Sequence, residues 1–135
     1  MMDPRELSLS NSVIRYRVRL MSQDEVTVIG QHLYAHGLRD KRMPDDQRYQ
    51  STGLATRCLW AAAVVVVEIN GAPTGAMLIE ARPEDRAQWV IAYDTTPTYA
   101  GDVMHGEVVD YARDMARRAG ATLVRRVETV TFEPA

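Results

Sequence analysis

Three groups of side chains in this sequence have types and spacings that could do chemistry. His32 and His36 stand four residues apart, about one helical turn, so both imidazoles could face one metal ion. No third ligand stands at a matching spacing. Glu25 is accounted for as a helix-capping partner, and the pair reads as two histidines on a helix surface. No metal is expected. Cys58 is the single cysteine and could be a nucleophile, but ahead of Leu59 and Trp60 it reads as a small buried apolar residue. Arg15, Arg17 and Arg19 alternate along one strand face, with Arg125 and Arg126 elsewhere on the sheet. Such a face could meet nucleic acid or an acidic partner. The aromatic residues that stack on bases are not interleaved with these arginines, and a solvated face balanced by Glu and Asp explains them as well. Lys41 is the only lysine among the 16 Lys and Arg residues. That bias reads as a GC-rich genome or as a need for bidentate contacts.

The elements that must position these groups can be read from the pattern. The chain has 135 residues, is 46% hydrophobic and 25% charged, and carries a net charge of -2. One globular domain over 12–135 is expected, preceded by a polar N-terminal extension, 1–11. The charge balance argues against a nonspecific nucleic-acid binder, and no apolar run is long enough for a membrane span. A lone cysteine and the absence of a signal core point to a cytoplasmic, soluble protein. Val13 to Leu20 alternates as a half-buried strand. Ser22 and Glu25 form a capping box for a helix that Gly37 should stop. A second helix is expected from Gln47 to Trp60. Asn70-Gly71 marks a hairpin between Val64–Ile69 and Gly75–Ala81. Gln88 to Tyr93 is a further strand. A helix from Asp102 to Ala119 carries the apolar stripe Met104, Val108, Ala112, Met115 and Ala119. Thr122 to Phe132 is a final strand, reached by a parallel crossover. An exposed Trp60 or Trp89 would mark an interface.

The segment Thr95-Thr96-Pro97-Thr98-Tyr99-Ala100-Gly101-Asp102-Val103-Met104-His105-Gly106 resembles the cofactor loop of the GNAT superfamily, the acetyl-CoA-dependent N-acyltransferases. That loop reads Val-x-Pro-x-Tyr-Arg-Gly-x-Gly-Ile-Gly. Pro97, Tyr99 and Gly101 match in type and spacing, and Met104 matches the apolar position. The resemblance covers about residues 12 to 132. It implies an α/β (α+β), GNAT-like fold. The sheet is mixed and mostly antiparallel, with helices on both faces, in the order β-α-α-β-β-β-α-β. The family's further helix and final strands are absent from this sequence. The resemblance also implies acetyl-CoA as the cofactor. Its pyrophosphate would lie at the start of the third helix, where free amides and the dipole attract anions. Thr95, Thr96, Tyr99, Gly101, Val103, Met104 and His105 would line that site. Acyl transfer to an amine needs a base and an acid. Asp94 and Glu68 are the carboxylates nearest the implied site, with Tyr99 or Tyr93 as acids. Asp94 also reads as the start of a turn, and Glu68 as a solvent-facing residue.

The sequence departs from the family where the cofactor is held. Ala100 replaces the basic residue, Val103 and His105 replace glycines, and Asp102 brings a carboxylate to the helix start. Asp102 suits an uncomplexed helix and repels a pyrophosphate; a protonated His105 would partly offset it. The reading that follows is a degenerate acyltransferase-like module. It would act through protein–protein contacts in a homo-oligomer or larger assembly, with the 122–132 strand as an edge that pairs with a partner. Arg125, Arg126 and Glu128 would blunt that edge in part. Small proteins of this kind are familiar in phage genomes, so a phage accessory or virion-associated role is an implied context. The alternatives are an active acetyl-CoA-dependent N-acetyltransferase and, further off, a nucleic-acid-binding or antidefence protein.

Overall fold

The computed structural model describes residues 5–9, 12–40, 50–96 and 102–124. Among the described residues six strands form one sheet in sequence order, β1 (Arg5–Leu9), β2 (Ser12–Leu20), β3 (Ala63–Ile69), β4 (Ala72–Ala81), β5 (Gln88–Asp94) and β6 (Thr122–Val124). Neighbours are antiparallel except β5 and β6, which pair in parallel as Gln88 with Thr122 and Val90 with Val124. Helices α1 (Val26–Asp40) and α2 (Ser51–Trp60) lie between β2 and β3, and α3 (Asp102–Arg118) lies between β5 and β6. This is the α/β class and the element order expected from the sequence. The N-terminal segment adds an edge strand, since Arg5–Leu9 pairs with β2.

Period-two alternation separates two cores. Tyr16, Val18, Val65, Val67, Met77, Ile79 and Ile91 face α3, which contributes Met104, Val108, Val109, Ala112 and Ala116. Val64, Val66, Ala76 and Leu78 face the other way, onto Ile29 and Leu33 of α1 and Leu54 and Cys58 of α2. Each fully buried aliphatic side chain contributes about 1.5–3 kcal/mol. Gly30 sets how closely α1 and α2 approach: a Cβ there would lie 2.6 Å from the Ser51 carbonyl oxygen and 2.8 Å from the Ala55 Cβ. Asn70 and Gly71 turn with φ of 52° and 85°, the left-handed pair that a tight hairpin requires.

Several expectations need correction. Helix α1 passes through Gly37 and ends at Asp40, because continued backbone pairing outweighs one glycine's propensity cost of about 1 kcal/mol. The α3 stripe continues through Ala116, with Met115 half-buried against the same core, while Ala119 is exposed. The last strand is described only for Thr122–Val124. The 122–132 edge beyond Val124, with Arg125 and Arg126, lies outside the described residues, as does the stretch 41–49 before α2.

Candidate functional site

The end of β5 is where chemistry-bearing residues gather. A bulge between β4 and β5 pairs Leu78 with Tyr93 but Ile79 with Ile91, so Ala92 is the extra residue. Bulges re-aim the side chains that follow. Tyr93 then turns toward α1 and donates to the Leu33 carbonyl at 3.2 Å. Asp94 turns toward α3, and Thr95 back toward α1.

Asp94 gathers three donors. Its Oδ1 accepts the Thr96 amide at 2.8 Å and the Thr96 hydroxyl at 2.6 Å. Its Oδ2 lies 2.7 Å from His105 Nε2, on the first turn of α3. Asp94 is 17% exposed in its side chain and His105 is 49% exposed. With Nε2 directed at a carboxylate, Nδ1 is the ring nitrogen left to exchange a proton. Asp94 therefore positions His105, rather than standing as an unoccupied base.

Thr95 is tied just as closely. Its backbone N–H donates to the Ala76 carbonyl at 2.9 Å, and its hydroxyl accepts the Ala76 N–H at 2.9 Å. The same hydroxyl donates to the Ala76 carbonyl at 3.2 Å, and His32 Nε2 lies 2.8 Å from it. A hydroxyl so engaged has one lone pair left, which suits His32 as the donor. Thr95 and Thr96 are both buried. Their side chains brace the turn after β5.

The other candidate positions fall apart from this cluster. Val103 is exposed, while Met104 is fully buried against the sheet, so only its backbone could approach a ligand. Tyr99 and Gly101 lie outside the described residues. Glu68 is on β3, separated from β5 by β4. Its Oε2 takes Arg19 Nε at 2.8 Å, with Arg17 Nη1 at 3.9 Å. Arg19 also holds Glu25 through both carboxylate oxygens, the second at 2.9 Å. Hydrogen bonding to Glu25, ahead of that to Glu68, pushes the Arg19 guanidinium further into its charged range. The bond from Arg19 in turn lowers Glu25 below its ordinary carboxylate value. Glu25 also closes the expected capping box, accepting the Ser22 N–H at 2.8 Å. The arginine face is thus an ion-pair network with acidic partners. Sequence reasoning missed that network because Glu68 meets Arg19 and Arg17 only through the β2–β3 register, while Glu25 reaches Arg19 from the turn that follows β2.

His32 and His36 do not converge. His32 meets Thr95, and His36 packs edge-on against Tyr93 with ring centroids 6.3 Å apart. Among the described residues no group of three His, Cys, Asp or Glu could hold a metal ion. Cys58 is buried, and burial pushes its thiol up to about 11, which suits an inert side chain. Among the described residues no helix is long and apolar enough to cross a membrane. Trp89 is buried, whereas Trp60 is 85% exposed at the end of α2.

Solved structures share this architecture. yncA of Salmonella typhimurium, solved with its cofactor acetyl-CoA, superposes with a TM-score of 0.57 at 20% identity, over 78% of this chain and 65% of that one. The chain thus spans a little under two thirds of that protein's length. A Clostridium acetobutylicum protein solved with acetyl-CoA gives a TM-score of 0.56 at 9% identity, over 84% of this chain and 82% of its own. A Clostridium difficile 630 protein gives 0.58 at 11% identity, over 85% and 82%. All three carry acetyltransferase as a provisional designation. No protein-family model and no curated sequence matches the chain. The fold is that of the GNAT-type acetyltransferases, with the start of α3 set against the end of β5.

Proposed function

We propose that the chain is a GNAT-fold module whose cofactor end is satisfied by its own residues, and that it acts through contact with other protein. The observation that carries this reading is the Asp94 carboxylate. It already holds the Thr96 amide, the Thr96 hydroxyl and His105, donors that an incoming diphosphate would use at a helix start. An anion arriving there meets a like charge instead, with Asp102 adding another by sequence. The exposed Trp60 supports a contact role, since aromatic anchors are enriched at interfaces. A homo-oligomer or larger assembly, including a phage accessory or virion setting, is the context this reading suits.

A second reading is an acetyl-CoA-dependent acyltransferase. The fold shared with two structures solved with acetyl-CoA favours it. The backbone from Thr95 to Gly101 would carry the pantetheine and phosphates, and acetyl-CoA would supply the acyl group as its thioester. In this chain Asp94 would hold His105, and His105 Nδ1 would take the proton from the acceptor ammonium.

Calorimetric titration with acetyl-CoA and CoA separates the two, with light scattering on the same sample for the oligomeric state. The first reading expects no binding at millimolar ligand and an assembly larger than a monomer. Micromolar binding would overturn it in favour of the second.

A further inference from the structure

A second polar site lies away from the β5 end, where β2 passes the β3–β4 hairpin. A pocket of about 350 Å³ is lined there by Arg15, Tyr16, Arg17, Glu68, Asn70 and Gly71. That volume suits a small metabolite. The register builds it: Arg17 stands opposite Glu68 on one face of the sheet, and Arg15, two residues earlier, shares that face. The hairpin closes the end, with the Asn70 N–H donating to the Arg15 carbonyl at 2.8 Å. A register shift between Val67 and Glu68 sets the angle at which Glu68 leaves the strand.

The charges are unevenly used. Arg19 satisfies Glu25 and takes the Oε2 of Glu68. Arg17 approaches that same oxygen only to 3.9 Å, beyond hydrogen-bond distance. Its Nε is buried and has no hydrogen-bond partner. That N–H is closed to solvent; a ligand would meet the rest of the side chain, which is 28% exposed and makes no hydrogen bond to Glu68. The Oε1 of Glu68, meanwhile, takes part in neither ion pair with these arginines. One pocket therefore offers an unmet cationic donor and an available anionic acceptor.

We propose that the pocket formed by Arg15, Arg17, Glu68 and Asn70 binds a small zwitterion, a free α-amino acid. Its carboxylate meets Arg17 and its ammonium meets Glu68. A simple anion would face the Glu68 charge, and a simple amine would face the guanidinium of Arg17. Only a ligand carrying both groups suits both walls. The site is independent of the cofactor end, since β4 separates Glu68 from Asp94.

Nuclear magnetic resonance titration of the full chain with the common α-amino acids tests this, with acetate, inorganic phosphate and methylamine as probes carrying charge of one sign only. The expected result is saturable movement of the Arg17 Nε–H and Asn70 amide signals with at least one amino acid. Acetate, phosphate and methylamine should bind roughly tenfold more weakly or worse. Arg17→Gln should lower the affinity by about tenfold or more while leaving the thermal midpoint without ligand close to that of the parent. Asn70→Asp, at a turn position whose φ Asp tolerates, should weaken carboxylate binding by adding negative charge. Binding of phosphate or acetate as tight as any amino acid would overturn the proposal. So would no response to any amino acid, or amino-acid binding unaffected by Arg17→Gln.

Discussion

Asp94 at the end of β5 and Glu68 near the end of β3 are equally shielded, each with 17% side-chain exposure, yet they stand in opposite surroundings. Asp94 is held by an amide, a hydroxyl and one histidine. Glu68 is held by fixed positive charge, with Arg19 in contact and Arg17 just beyond. A carboxylate held by dipoles organises the turn around it and fixes a histidine on the first turn of α3. One held by guanidiniums stitches strands together and keeps an electrostatic wall in position. Two residues of like chemistry thus take up different work because their donors differ.

The widest effect should come from removing the guanidinium that defines the Glu68 side. Arg19→Met leaves Glu25 and Glu68 close together without their bridge. With part of the charge still reaching solvent, the expected loss is about 2 kcal/mol in urea unfolding. A loss under a few tenths would mean the network is a surface ornament and the contrast with Asp94 is false. On the Asp94 side, Thr95→Val removes the hydroxyl that serves both Ala76 and His32 but keeps the backbone bond to Ala76. It should cost about 1–1.5 kcal/mol and disturb the His32 ring signals without shifting those of Arg19. The smallest effect is in pH. Glu25 is held below its ordinary value of 4.5. Its contribution to stability is therefore complete above that value and is lost as pH falls through the lower, folded one. Stability should fall on acidification below about pH 4.5 more steeply in the parent than in Arg19→Met. Equal slopes would remove Arg19 as the cause.

Much of the fold was legible because its signals are local. The Asn70-Gly71 turn, the β2 alternation and the α3 stripe each lie within one element, and all appear. Gly30 carries no such signal, since its need comes from Ser51 and Ala55 across a helix pair. The same holds for the site. Asp94, Thr95, Thr96 and His105 could be singled out by sequence position. That Asp94 would bind His105, and that Thr95 would reach His32, depends on the Ala92 bulge, which puts Ala92 and Tyr93 on one face and so shifts the alternation that follows by one residue. Glu68 could be singled out as a carboxylate, but its partners Arg19 and Arg17 follow only from strand register. Trp60 and Trp89 look alike in sequence; only the end of α2 leaves one of them in solvent.

We propose that Asp94 already engages the donors that an anion beside the start of α3 would use. Nitrogen-detected resonance of the His105 ring, followed while acetyl-CoA is added to millimolar concentration, tests it most directly. The expected result is a ring protonated at Nε2 and bonded to Asp94, with signals that do not move. Saturable shifts of the His105 nitrogens at micromolar acetyl-CoA would contradict it, and would show the cofactor displacing Asp94 from its donors.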